Sequence, residues 1–175
     1  MIFDLVALNG GVRYLYKDGE LLSTIVYDPY QNAQNSPTTI TNTEHYLEFY
    51  QNRQSGDDTD IKIVFANGNI EHKNAKIDLT HCSKLIFTVV NCTLTIISGA
   101  GDLAYSNPMI FITNQYDLFK NYPEGYGRIT YINKSDVEQQ YEIDVSDLTG
   151  EYWVGYMSLA KSESGYVRIS EIRLQ

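Results

Sequence analysis

The 175-residue sequence predicts an all-β protein, a β-sandwich of jelly-roll type with about ten strands and little helix. Apolar residues recur mostly at spacing two, the period of a half-buried strand, and helical spacing is nearly absent. Short β-branched runs are typical of strands buried on both faces. Asp18-Gly19 and Asn67-Gly68 are dipeptides that favour tight hairpin turns. The length suits a single domain that spans residues 1–175.

Strand and turn signals alternate through the first half of the chain. The predicted elements are, in order, a hairpin at 12–16 and 21–27, an exposed polar loop at 28–42, a strand at 45–51, an acidic turn at 52–60, a second hairpin at 61–66 and 70–79, and two central strands at 84–90 and 93–98. Asn91-Cys92 separates the two central strands in this interpretation.

The second half continues the same pattern. Its predicted elements are a strand at 109–114, an aromatic-rich loop at 116–127, and strands at 128–133, 139–145, 151–160 and 165–174. In the last strand, Val167 and Ile169 share one face, whereas Ile172 and Leu174 have the opposite parity. This predicts either a β-bulge near Ser170-Glu171 or a strand covered on both faces, and in both cases a strand interior to a sheet.

Two similar tetrapeptides precede turns in the middle and near the end of the chain. They are Ile77-Asp78-Leu79-Thr80 and Ile143-Asp144-Val145-Ser146. An Asp with Thr or Ser two residues later can bond the backbone of a turn, so each segment is predicted to carry the chain from one sheet to the other. The alternative is an accidental similarity of strand-turn chemistry.

Composition and charge exclude some classes of partner. The net charge is −9 and the pI is near 4.7, without any run of Lys or Arg, which argues against nucleic acid. The apolar N-terminus is interrupted by Asp4 and is not preceded by a basic residue, so neither a signal peptide nor a membrane span is predicted. The 15 Tyr outnumber the 6 Phe and 1 Trp, which favours half-exposed sheet faces and contact surfaces.

Few residues suggest a metal or a cofactor, and no cofactor is predicted. Cys82 and Cys92 are expected to be free thiols, with a disulfide as the alternative. Together with His72 and His81 they lack the spacing of a zinc site. A weak calcium candidate is the carboxylate group Asp57, Asp58 and Asp60.

No catalytic residue is predicted. The three His residues, His45, His72 and His81, stand outside any nucleophile or acid–base motif. Glycoside hydrolysis needs two carboxyl groups that flank the scissile bond. The pairs Glu142 with Asp144 and Asp147 with Glu151 supply carboxyl groups, but spacing along one strand does not establish that arrangement.

One loop combines aromatic rings with polar side chains, as sugar binding requires. The candidate glycan-binding residues are Asn114, Tyr116, Phe119, Asn121, Tyr122, Glu124 and Tyr126. The alternative is that these aromatic residues pack on the sandwich or on a neighbouring subunit.

The N-terminal segment 1–10 is a candidate docking segment. One short strand on one face of a sandwich cannot bury all of its apolar residues, Ile2, Phe3, Leu5, Val6 and Leu8. They are therefore predicted to contact another chain, in a homo-oligomer such as a trimer or in a capsid-lattice contact.

Four segments in order along the chain resemble β-sandwich modules of tail, fibre and head-decoration proteins from tailed bacteriophages of gut Firmicutes. They are Tyr14-Leu15-Tyr16 with Gly19, residues 77–85, residues 143–155 and residues 167–174. The loops at 28–42 and 116–127 depart from that pattern.

The resemblance implies a non-enzymatic virion structural protein on the particle surface, either a head decoration or a tail- or fibre-associated module. Its partners would be other virion proteins and itself, and it would be assembled in the cytoplasm of the bacterial host. Such modules are similar to lectin-like domains, so the alternative is a glycan-binding adhesin domain that recognises host surface carbohydrate. A glycan-cleaving enzyme is a more distant alternative.

Overall fold

A computed structural model describes residues 11–27, 38–51, 59–66, 68, 71–94, 108–115, 127–160 and 164–175. These residues form thirteen strands and one turn of 3-10 helix at His72–Asn74. The strands are β1 (Arg13–Lys17), β2 (Glu20–Leu21), β3 (Thr24–Tyr27), β4 (Thr38–Asn42), β5 (Leu47–Gln51), β6 (Thr59–Ala66), β7 (Ile77–Asp78), β8 (Lys84–Cys92), β9 (Met109–Thr113), β10 (Arg128–Tyr131), β11 (Gln139–Asp144), β12 (Glu151–Ala160) and β13 (Gly165–Leu174).

The predicted all-β fold, a β-sandwich of jelly-roll type, is confirmed. Sheet A contains seven strands, in the order β11-β8-β13-β1-β2, with β5 also pairing β13 and β4 pairing β5. Sheet B contains six strands, in the order β10-β9-β12-β6-β3, with β7 pairing the start of β12. Within the described part of the chain, no helix has the length and apolar character needed to cross a membrane.

The last strand is interior to sheet A, as predicted. β8 lies along one edge of β13, and β5 and β1 share the other edge. The pairing of β13 with β8 shifts register between Ile169 and Glu171, so of the two predicted alternatives the structure has the bulge. Because the bulge reverses the parity, Val167, Ile169, Ile172 and Leu174 are all buried.

A core of aliphatic and aromatic side chains fills the space between the sheets. Phe49 of sheet A stacks on Tyr156 of sheet B, with ring centroids 4.1 Å apart. Burial raises the pKa of Tyr156, so its side chain stays uncharged in this core. Beside this stack, the buried Ser158 hydroxyl donates to Gln51 Oε1 at 2.6 Å, and Gln51 Nε2 donates to the Ser158 carbonyl at 3.2 Å. This polar pair joins the two sheets without leaving its amide unpaired.

The outer face of sheet B is also buried. Its cluster, which alternates along the strands with the residues of the main core, consists of Val64, Ala66, Ala75, Met109, Phe111, Trp153 and Met157. The Lys76 ammonium lies over the Trp153 ring, 4.2 Å from its centroid. The half-exposed aromatic side chains of β5 and β13 therefore lie on the other side of the molecule, on sheet A.

The first predicted hairpin is correct only next to its turn. Asp18 and Gly19 have φ angles of 46° and 84°, and β1 pairs β2 across them. Leu22 N and Ser23 Oγ both donate to the Leu15 carbonyl, and after this point the chain leaves sheet A, so that β3 pairs β6 in sheet B. The prediction that 21–27 forms one hairpin strand was wrong.

The second predicted hairpin, of 61–66 with 70–79, is not formed. Both edges of β6 are occupied, by β12 and β3, so no edge is left for the residues that follow. The chain instead passes through the 3-10 helix to β7, which pairs β12.

Three predicted boundaries also differ from the structure. Residues 38–42 of the predicted 28–42 loop form β4, and residues 59–60 of the predicted acidic turn begin β6. Asn91 and Cys92 lie within β8, and Thr93 and Leu94 are not in a strand. Residues 28–37, 52–58 and 95–98 lie outside the described residues.

The two similar tetrapeptides form similar turns. Asp78 Oδ1 accepts the Thr80 N–H at 2.8 Å, and Asp144 Oδ1 accepts the Ser146 N–H at 2.9 Å. The first turn, residues 77–83, leads from β7 in sheet B to β8 in sheet A, and the second, residues 143–150, leads from β11 in sheet A to β12 in sheet B. The predicted crossings between sheets are confirmed, and the two segments are called the crossing turns below.

The crossing turns are also hydrogen-bonded to each other. Leu79 N donates to the Gly150 carbonyl at 2.9 Å, and Gly150 N donates to Thr80 Oγ1 at 2.9 Å. Val145 N donates to the Ser83 carbonyl at 2.9 Å. The similarity therefore has a structural cause, since the two turns lie side by side at one end of the sandwich.

Gly155 of β12 is expected to tolerate no side chain. A Cβ atom there would meet the Ile63 carbonyl oxygen, which belongs to the backbone of the paired strand β6, and would lie 2.6 Å from Phe111 Cζ. Gly155→Ala is expected to lower the free energy of unfolding in urea by about 3 kcal/mol. Gly150→Ala is the control, because Gly150 has a φ of +88° but no neighbour within 4 Å, and its cost should be about 1 kcal/mol. Equal losses in the two variants would contradict this interpretation.

The crossing turns should make stability depend on pH in the acid range. Hydrogen bonds from Thr80 lower the pKa of Asp78, and hydrogen bonds from Ser146 lower the pKa of Asp144. A carboxylate with a lowered pKa stabilises the folded state above its unfolded pKa of about 3.9, and this stabilisation is lost as the pH falls through the folded pKa.

The double variant Asp78→Asn, Asp144→Asn keeps the acceptor oxygens but cannot titrate. Its urea midpoint is expected to fall less than that of the parent between neutral pH and pH about 3. Asp136→Asn is the control, because Asp136 is exposed and lies outside both crossing turns. The same acid loss in the parent and the double variant would refute the prediction.

Candidate functional site

The outer face of sheet A carries a half-exposed group of aromatic and charged side chains. β5 and β13 alternate between buried and half-buried residues, and these two strands are neighbours. Tyr50 is directly opposite Tyr166 in this pairing, and Glu48 is opposite Arg168. These four residues and Tyr46 are called the Tyr–Arg face.

Arg168 is the centre of the Tyr–Arg face. Its Nε donates to Glu48 Oε2 at 2.7 Å, and its guanidinium carbon lies 3.9 Å from the centroid of the Tyr166 ring and 4.7 Å from that of Tyr46. Burial by itself would lower the pKa of Arg168, but the hydrogen bond to Glu48 and the neighbouring groups raise it on balance. Arg168 is therefore charged at any working pH and is held between two rings.

The surroundings of Arg168 add further polar groups. Asn91 of β8 is opposite Arg168 on the other side of β13, and its Oδ1 is buried without a hydrogen-bond partner among the described residues. Thr39 of β4 is opposite Tyr50. Strands β4, β5 and β13 thus contribute to one surface that combines aromatic rings with hydrogen-bond donors and acceptors.

This arrangement suits a ligand with both apolar and hydroxylated surface. Tyr rings offer flat area to the C–H face of a sugar ring, while the carboxylate and the guanidinium can accept from and donate to its hydroxyl groups. Because the ion pair and the ring contacts fix Arg168 before a ligand arrives, little side-chain entropy remains to be lost on binding.

Sequence reasoning missed the Tyr–Arg face. The alternation in 45–51 already places Tyr46, Glu48 and Tyr50 on one side of a strand, and Tyr166 and Arg168 have the opposite parity to the buried Val167. That signal identifies two half-exposed strand faces. It does not reveal that the two strands are neighbours.

Of the candidate glycan-binding residues, Asn114 is described. It is exposed and lines a pocket of about 420 Å³ where β9 ends and β10 and β12 begin. Tyr116, Phe119, Asn121, Tyr122, Glu124 and Tyr126 lie outside the described residues. The N-terminal docking residues Ile2, Phe3, Leu5, Val6 and Leu8 also lie outside them, and so do Asp57 and Asp58 of the calcium candidate, while Asp60 is in β6. These assignments stay predictions.

The cysteines and histidines do not form a site in the described part of the chain. Cys82 and Cys92 are both free thiols, and burial raises the pKa of Cys82. No group of three or more His, Cys, Asp or Glu residues able to hold a metal ion is present among the residues that the structure describes.

Three of the paired carboxylates have structural partners. Glu142 forms an ion pair with Lys84 at 2.7 Å, Asp144 is bonded within its crossing turn, and Asp147 forms an ion pair with Arg128 at 2.6 Å. The hydrogen bond from Arg128 lowers the pKa of Asp147. A carboxylate that is kept ionised by its partner is poorly suited to be the general acid of a glycosidase.

The comparison with known proteins establishes the fold and nothing further. No family model matches the chain, and no curated protein is similar to it in sequence. Solved structures that share its fold include carbohydrate-binding modules, which are β-sandwiches. A point mutant of the family 29 module CBM29-2 has a TM-score of 0.52 at 10% identity, with 94% of this chain and 91% of that chain covered.

A second class of carbohydrate-binding module is equally similar. The family 11 module from Clostridium thermocellum, in complex with a β-1,3-1,4-mixed-linked tetrasaccharide, has a TM-score of 0.51 at 13% identity, with 97% of this chain and 96% of that chain covered. At these identities the likeness shows a shared fold, and it covers nearly the whole length of both chains.

Proposed function

We propose that this protein is a non-catalytic carbohydrate-binding module, which was the alternative interpretation of the sequence. The observation that carries the proposal is the Tyr–Arg face, where Arg168 is held between two Tyr rings on the exposed side of sheet A. The shared fold with carbohydrate-binding modules supports it. The ligand is an extended glycan, because the face spans the neighbouring strands β4, β5 and β13.

The charges of the face are matched locally. Arg168 is paired with Glu48, and Arg173 of the same strand is paired with Glu171. The surface therefore presents hydrogen-bonding groups and rings without the excess positive charge that an anionic polymer would require. The virion location, the head or tail partners and the homo-oligomer predicted from the phage resemblance stay predictions, and a particle-bound adhesin would combine them with the function proposed here.

Binding is best tested by affinity electrophoresis of the full chain in gels that contain soluble polysaccharide. Mixed-linkage β-glucan, glucomannan and purified Gram-positive wall polysaccharide form the panel. The intact chain is expected to be retarded by at least one of them. Tyr166→Ala should weaken binding about tenfold, which corresponds to about 1.4 kcal/mol, because a stacking ring is lost.

The matched control is Tyr14→Ala, which removes a half-exposed ring outside the Tyr–Arg face and should leave retardation unchanged. Urea midpoints of both variants establish that they are folded. The proposal is wrong if the intact chain is retarded by none of the polysaccharides, or if Tyr166→Ala and Arg168→Ala both bind as the parent does.

A further inference from the structure

The pocket beside Asn114 has a different shape and composition from the Tyr–Arg face. It lies where β9 ends, β10 and β12 begin and the second crossing turn passes, and its volume is about 420 Å³. Its wall includes Thr113, Asn114, Gln115, Arg128, Leu148 and Tyr152. It is called the end pocket here. Pockets of about 300–1,000 Å³ hold small organic ligands, and the end pocket, near the low end of this range, has room for a single sugar unit.

One wall of the end pocket is apolar and the other is polar. The half-buried Leu148 and Tyr152 pack against the core and offer an aliphatic and an aromatic surface. Asn114 and Gln115 are exposed at the rim, and an amide both donates and accepts hydrogen bonds. This combination matches a ligand with a C–H face and several neutral hydroxyl groups.

The charge of the end pocket is already compensated. A terminal nitrogen of Arg128 lies 2.6 Å from each carboxylate oxygen of Asp147, and its other terminal nitrogen donates to the Asp144 carbonyl. The guanidinium therefore has its counter-ion and three acceptors within the protein. A phosphate or carboxylate ligand would compete with Asp147, whereas an uncharged ligand would leave this pair intact.

The same contacts join the elements that line the pocket. Arg128 ties β10 to the second crossing turn, and that turn carries Leu148 into the wall. Gly127, which precedes Arg128, lies so close to the Ile112 carbonyl oxygen that no Cβ atom would fit. Gln115 N donates to Thr113 Oγ1 at 3.2 Å, which orders the end of β9. Lining residues that are already bonded to each other lose little freedom when a small ligand binds.

We propose that the end pocket is a second, separate binding site, which takes a single uncharged sugar unit such as the terminal residue of a glycan chain. The site does not depend on the Tyr–Arg face. Tyr152 and Ser158 lie on the same strand, and Ser158 is bonded to Gln51 of β5. Six residues of strand, about 20 Å, separate Tyr152 in the pocket from Ser158, which lies in the core behind the Tyr–Arg face.

The test is a two-dimensional NMR titration of the isotope-labelled full chain with methyl glycosides of glucose, galactose and N-acetylglucosamine. A site of this size with few polar groups should have a Kd on the order of 1 mM. At least one glycoside is expected to shift the backbone signals of residues 112–115, 127–128 and 148–152. Inorganic phosphate is expected to shift none of them.

The variants Asn114→Ala and Gln115→Ala should each weaken glycoside binding several-fold, and because both positions are exposed the variants are expected to fold as the parent does. Asn133→Ala is the matched control, an exposed amide outside the pocket, and should bind as the parent does. Tyr166→Ala should keep the pocket titration while its polysaccharide binding is weakened about tenfold, as expected above. This separates failure of the end pocket from failure of the Tyr–Arg face.

Three results would overturn the inference. They are the absence of pocket shifts with every glycoside of the set, unchanged binding in both amide variants, and a pocket that responds to inorganic phosphate in place of the glycosides. The last result would make the end pocket an anion site.

Discussion

The pairing of β13 with strands on both of its edges is the constraint on which the rest of the structure depends. β8 occupies one edge and β5 and β1 share the other, so the backbone groups of this strand are satisfied along its length. The bulge at Ile169–Glu171 lets both halves of the strand direct apolar residues into the core. The same alternation turns Tyr166 and Arg168 outward. The core and the Tyr–Arg face are thus two sides of one strand, and a shift of one residue in its register would destroy both.

The two sheets differ in how many of their faces are buried. Sheet B is buried on both faces, since Trp153 and Met157 pack in a second cluster while Val154 and Tyr156 face the main core. Sheet A buries one face and exposes the other. The Gln51–Ser158 pair and the Phe49–Tyr156 stack fix the sheets against each other behind the Tyr–Arg face. A rigid support of this kind keeps a surface ready for a ligand, which lowers the entropic cost of binding.

The crossing turns lie side by side at one end of the sandwich, where the chain passes between the sheets. Each carries the chain between the sheets, and each closes on its own Asp side chain. Their mutual hydrogen bonds hold Gly150 beside Thr80, and the Arg128–Asp147 pair ties the second turn to β10. The end pocket is formed by this junction, so its shape follows from how the strands change sheets. The Tyr–Arg face and the end pocket can therefore bind different ligands although both are built on the same sandwich.

The sequence by itself determined the fold class, the strand positions in most of the described residues, the parity change in β13 and the chemistry of the crossing turns. These features follow from local signals, namely the period of burial, a parity change, and an Asp two residues before Thr or Ser. Pairing between distant strands was decided by the tertiary structure. Glu48 and Arg168 are 120 residues apart, and Gln51 and Ser158 are 107 apart. Alternation shows which side of a strand is buried but not which strand lies beside it. The Tyr–Arg face could therefore be identified only from the pairing of β5 with β13 in the structure. The predicted hairpin of 70–79 is absent for the same reason. Both edges of β6 are paired with strands that are more distant in sequence, β12 and β3.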